Sequence, residues 1–189
     1  MVSQLKVNEI IKQSGSSITI GEAGDTLTIP TGVTMSGAGA NTPAFHAFKN
    51  SSSNLTDETA SKISIDTEVF DSGGKYDAGN YRFTPAIAGK YFIYGQVNLS
   101  CNAGEQYHAG IIMIYKNGSE FSRTTIDPNN NSAGKHNQVT PNIGMIMDFN
   151  TTDYVEIYAL ADVGGGTPSV VGDSSASPTF FGGYRLIGA

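Results

Sequence analysis

The chain predicts an all-β sandwich, and three observations carry that prediction. Charged residues make up only 15% of 189 positions while glycine alone supplies 23. With abundant Ser, Thr and Asn, this is a composition of turn formers and weak helix formers. Apolar residues alternate: Tyr91, Ile93, Val97 and Leu99 fall on one face of an extended segment, and Phe92, Tyr94, Gln96 and Asn98 on the other, because successive strand side chains point to opposite sides. Turn signals recur between such segments, as at Asn117 and Gly118, which tolerate the positive φ of a two-residue hairpin. This length holds one full domain with an appendage, and the apolar content fills one core.

Residues 1–42 read as a thin β-rich stalk. Ile18 with Ile20, Leu27 with Ile29 and Val33 with Met35 are alternating pairs separated by residues 21–25 and 30–32, which predicts very short strands between tight turns. So few apolar side chains do not offset an ordering cost of about 1–2 kcal/mol per residue. The segment is therefore either disordered or wound with sister chains. Small residues at 37–41 make a joint, and Pro43 opens a head spanning 43–189. Strands are expected at 44–49, 63–65, 81–83, 91–101, 109–116, 120–125, 139–149, 154–161 and 179–187, with long loops at 127–135 and 164–177.

Asp71, Tyr76, Phe83, Gly89 and Tyr91 follow one another at spacings of five, seven, six and two. This set resembles the central motif of the complement C1q globular-head family, sister to the tumour-necrosis-factor ligands. Ile65 and Ile93 stand where that family usually has phenylalanine, and Phe181, Gly182, Gly183, Tyr184, Arg185 and Leu186 are similar to its closing strand. The resemblance covers roughly residues 44–189 and implies a ten-stranded jelly roll that assembles as a homotrimer. In the leader, Ile18, Thr19, Ile20, Gly21 and then Gly24, Asp25, Thr26, Leu27, Thr28, Ile29, Pro30 resemble the repeating stalk modules of phage tail fibres, especially those of marine and cyanobacterial phages. That likeness implies a virion protein.

Phe92 and Tyr94 are large aromatic groups on the strand face opposite the core, and each buries on the order of 150–250 Å² when covered. At about 25 cal/mol per Å², covering both favours association by several kcal/mol before ordering costs are subtracted. The resemblance places this face around a threefold axis, making Phe92, Tyr94 and Gln96 the expected trimer interface. Coverage by a loop of the same chain is the other reading.

Bulk properties narrow the partners. A net charge of −6 opposes binding to a phosphate backbone, so no nucleic acid is expected. No run of about 18 apolar residues occurs and no apolar leader follows Met1, so neither membrane insertion nor standard export is expected. Cys101 is the one cysteine, leaving no disulfide and no thiol pair for zinc. His46, His108 and His136 are dispersed, no glycine-x-serine-x-glycine elbow exists, and the carboxylate pairs Asp57/Glu58 and Asp66/Glu68 read as solvated. No catalytic residue, metal or cofactor is expected. Asp162 and Asp173 bracket a glycine-rich loop without EF-hand spacing.

Loops held on a rigid scaffold carry recognition. Asp127, Asn129, Asn130, Asn131, Lys135 and His136 in one loop, and Asp162 and Asp173 in the other, are therefore the candidate contact residues. Tyr107 with His108, and Phe121 with Arg123, are further candidates for stacking on a glycan. The expected function is a non-catalytic structural protein of a phage virion, a trimeric fibre or spike. Residues 1–42 would dock to other virion proteins, and the head would face a host-surface glycan or protein. A capsid or tail decoration protein, a soluble complement- or cytokine-like ligand, and a carbohydrate-binding module are the alternatives.

Overall fold

The computed structural model describes residues 10–11, 14–15, 18–22, 24–26, 28–31, 33, 41–101, 106–128 and 136–187. Internal contacts divide the chain into two units, Met1–Ala38 and Gly39–Ala189. Among the described residues of the first unit no strand forms. A turn closes at 22–25, where the Glu22 amide donates to Asp25 Oδ2 at 2.8 Å and the Asp25 amide to the Glu22 carbonyl at 3.0 Å. Ile18, Ile20, Ile29 and Val33 are exposed. The strand expected at 18–20 is thus absent, as is the described part, 28–29, of the one expected at 27–29, because a strand needs a hydrogen-bonded neighbour and none pairs with them among the described residues. Leu27 and Met35 lie outside the described residues.

The second unit is built of strands. They are β1 Ala44–Phe48, β2 Ser51–Asn54, β3 Ser61–Lys62, β4 Thr67–Ser72, β5 Tyr76–Asp77, β6 Arg82–Phe83, β7 Gly89–Gln96, β8 Leu99–Ser100, β9 Tyr107–Lys116, β10 Ser119–Ile126, β11 Gln138–Val139, β12 Asn142–Phe149, β13 Val155–Val163, β14 Ser169–Asp173 and β15 Phe180–Arg185. One sheet has the order β12-β7-β15-β1-β4; the facing sheet has β10-β9-β13-β6-β5, with β3 also on β13. A third sheet, β11-β8-β14-β2, prolongs the first: each of its strands continues β12, β7, β15 or β1 along the chain. Buried Thr179 stitches the break between them. Its hydroxyl donates to the Val171 carbonyl at 2.7 Å and accepts the Asn98 amide at 3.0 Å, while its carbonyl accepts the Lys49 amide at 2.9 Å.

The two sheets close over one core, and the motif residues lie at its centre. Phe45 stacks on Tyr76 and Phe83 with centroids 4.8 and 4.3 Å away and meets Phe181 edge-on at 4.8 Å. Asp71 Oδ2 accepts the Tyr76 amide at 2.8 Å, and the Tyr76 hydroxyl donates to the Ile65 carbonyl at 2.6 Å. Phe83 packs edge-on against Tyr91, whose hydroxyl donates to the Ile87 carbonyl at 2.9 Å. The spacing of the motif is thus the spacing of aromatic contacts across the sandwich, with both tyrosine hydroxyls satisfied. Ile65 and Ile93 are fully buried in the same cluster.

Several elements differ from expectation. No strand forms at 63–65, where the Ile65 amide turns back to the Ile63 carbonyl at 3.0 Å, and β2, β3 and β5 lie where none was expected. β4 lies where no strand was expected: it is an edge strand, its register on β1 slips between His46 and Ala47, and Val69 and Phe70 are exposed. The bulge breaks the alternation that would have shown it. The segment 164–177 holds β14 rather than loop alone, and 91–101 and 139–149 are each interrupted at the sheet break.

Candidate functional site

The outward face of the five-stranded sheet carries a continuous aromatic band. Cross-strand register aligns Gly144, Tyr94, Gly182, His46 and Phe70 in one rung. The next holds Ile146, Phe92, Tyr184 and Ala44, and the one on the other side Asn142, Gln96, Phe180 and Phe48. Phe92 lies 5.9 Å from Tyr94 and 5.7 Å from Tyr184, and Tyr94 lies 5.9 Å from His46 and 6.3 Å from Phe180. His46 Nδ1 and the Tyr94 hydroxyl are 3.2 Å apart. Burial pushes the His46 imidazole below its ordinary pKa; burial, then the neighbouring Tyr184, pushes the Tyr94 hydroxyl up.

The rings of this band are half-buried in the single chain, since they already cover one another, whereas Phe70 is 50% and Ile146 58% exposed. Gln96 is anchored within the chain, its Nε2 donating to the Pro178 carbonyl at 2.9 Å. Beside it a hollow of about 310 Å³ is lined by Phe92, Tyr94, Gln96, Asn142, Gly144 and Phe180. Sequence reasoning missed His46, Phe70, Ile146, Phe180 and Tyr184. Alternation at Phe180, Gly182 and Tyr184 in the last strand was the signal for two of them.

The head as a whole can be matched to solved structures. Murine APRIL at pH 5.0 superposes with a TM-score of 0.52 at 14% identity, over 76% of this chain and 98% of that one. The globular domain of zebrafish complement 1qA gives 0.53 at 10% identity over 76% and 97%, and Eiger TNF from S. frugiperda 0.53 at 9% over 77% and 93%. The head has the TNF/C1q-like jelly-roll fold. No family model matches the chain, and no curated protein matches it.

Four of the eight expected recognition residues, Asp127, His136, Asp162 and Asp173, are among the described residues. Asn129, Asn130, Asn131 and Lys135 lie outside the described residues, and Asp127 and His136 flank them at the surface. Asp162 pairs with His108, Oδ1 to Nδ1 at 3.1 Å. Asp173 builds its own turn, Oδ1 accepting the Ser175 and Ala176 amides at 2.6 and 3.2 Å. Tyr107 is buried in the core and cannot stack on a sugar. A register shift opposite Asp162 and Val163 reverses the parity of β9, turning Tyr107 inward and leaving His108 half-buried. Phe121 is exposed, and Arg123 is held by Glu120 through two bonds of 2.6 and 2.7 Å.

Proposed function

We propose that the chain is a non-catalytic structural protein of a phage particle, a homotrimeric fibre or spike whose head faces outward and touches the host surface. The observation that carries the assembly is the aromatic band on the five-stranded sheet. A threefold ring joins two different patches of each copy, and the band offers both: the hollow beside Phe92 and Tyr94 at one end, and projecting Phe70 on edge strand β4 at the other. Likeness to tumour-necrosis-factor and complement globular domains supports the same assembly. The virion assignment rests on the resemblance of residues 18–30 to phage stalk modules. Exposed Ile18, Ile20 and Ile29 give sister chains apolar surface to wind around.

The experiment is light scattering of the full chain and of Tyr94→Glu, with imaging of the protein on a purified particle. Trimers that dissociate or aggregate in the variant are expected, since a buried unpaired carboxylate is costly. An unchanged trimer removes the residue assignment, and absence from the particle removes the virion reading. The fold neighbours APRIL and Eiger TNF favour a second reading, a soluble TNF-like ligand. A cognate protein receptor captured without a particle would select it.

A further inference from the structure

We infer a second binding surface, on the outward face of the six-stranded sheet, that takes a carboxylate-bearing sugar. Two rungs build it: Glu120, Tyr115, Glu156, Arg82 and Asp77, then Arg123, Met113, Tyr158 and Lys62. Tyr115 and Tyr158 stack at 3.9 Å with planes 18° apart, and Met113 beside them in the rungs is buried. Glu156 is only 3% exposed, yet it lies on this outer face. Its Oε1 is 2.6 Å from Lys62 Nζ and 3.5 Å from Arg82 Nε.

The charges in this cluster balance, Lys62 and Arg82 facing Glu156 and the cross-strand Asp77. What is left unspent is the hydrogen-bonding capacity of Arg82. The contact from Arg82 to Glu156 is an ion pair without a hydrogen bond, and buried Arg82 Nε has no hydrogen-bond partner. The Arg82 guanidinium lies 4.5 Å over the Tyr154 ring, which holds its plane in place. A guanidinium offers five N–H donors in a fork that fits a carboxylate. The Lys62 and Arg82 side chains remain 26% and 36% exposed, so an incoming anion reaches them.

Aromatic rings beside the cations supply what a pyranose adds to a carboxylate, a flat C–H face to pack and hydroxyls to hydrogen-bond. An acidic sugar therefore matches both halves of the surface, whereas an inorganic anion matches one. The surface supplies the outward-facing reading above with a ligand class and rests on that reading for its biological use. Its chemistry lies within a single chain and needs no trimer.

Calorimetry with the galacturonate hexasaccharide and with sialyllactose tests it, the methyl-esterified hexasaccharide and lactose serving as uncharged counterparts. Saturable binding is expected for the acidic sugars, weaker by about tenfold or more for the uncharged ones and for Arg82→Met. Arg82→Lys, which keeps the charge and loses the fork, falls between. Thermal midpoint and oligomeric mass report whether either variant still folds. Tyr94→Glu monomers retain the single-site affinity, so loss of the assembly and loss of this surface are read separately. No saturable binding to either acidic sugar, equal binding of the methyl ester, or unchanged binding by both Arg82 variants overturns the inference. So does equally tight binding of a poly-glutamate peptide.

Discussion

At Gly182 the absence of one methyl group decides the shape of the aromatic band. A Cβ built there would lie 2.3 Å from both the Tyr94 ring tip and its hydroxyl, so only glycine lets that ring lie flat across β15. The obstructing atoms are the far end of a side chain, so Gly182→Ala should swing Tyr94 off the sheet rather than unfold the domain. Stability should fall by about 1–3 kcal/mol and self-association should weaken, read by denaturant midpoint and sedimentation equilibrium. Full-strength association in the variant would contradict the role given to Tyr94. Asp153 sets a different residue-scale balance. Lys116 at 2.8 Å, the Asn117 amide group at 2.8 Å and the Asn150 backbone amide at 2.9 Å hold its carboxyl at about 2, below the ordinary 3.8. A depressed carboxyl pKa contributes stability above the unfolded value that is lost as pH falls toward the folded one. Acidification from pH 3.8 to about 2 should therefore cost about 1–2 kcal/mol, allowing for solvent screening. Asp153→Asn should be less stable at neutral pH and lose stability less steeply than the parent across that window in acid-unfolding curves.

Strands announced by a turn signal or by an unbroken alternation were legible, and short or bulged ones were not. The β9–β10 hairpin shows the first case: Asn117 and Gly118 take φ of 53° and 79°, as the asparagine-glycine pair predicts. A Cβ on Gly118 meets only the Tyr154 hydroxyl at 3.4 Å, so Gly118→Val tests backbone strain rather than crowding. It should cost about 1–2 kcal/mol, visible as a lowered thermal midpoint, and an unchanged midpoint would mean the turn relaxes to another type. β4 and β14 show the second case. Each is short and carries a register shift, so no two-residue period marks it in the sequence. The candidate site divides in the same way. Phe92 and Tyr94 were readable from one strand's alternation, but His46, Phe70 and Phe180 join them only through register across β1, β4 and β15. Tyr107 was misread because a bulge reverses parity within β9, and Arg82, Glu156 and Lys62 converge from three strands far apart in sequence.

At the scale of the whole molecule, assembly should respond to acid through the band itself. His46 sits at its centre between Tyr94 and Phe180, its ring 5.9 and 5.5 Å from theirs. Burial lowers its pKa from 6.5, and sister copies covering the band would remove more water and lower it further. A base whose pKa is depressed in the assembled state binds protons more readily when that state comes apart. Its contribution to assembly is therefore complete above the pKa of the separate chain, itself lowered from 6.5, and declines as pH falls from there toward the still lower value in the assembly. This window lies above the one set by Asp153, so the two titrations separate. Sedimentation equilibrium at about pH 8 and about pH 5.5 should show tighter trimers at the higher pH. His46→Phe keeps a ring in the stack, loses the contact with the Tyr94 hydroxyl, and should associate equally at both. If that variant dissociates in acid as the parent does, the proton that loosens the assembly lands elsewhere and the band is not where the copies meet through His46.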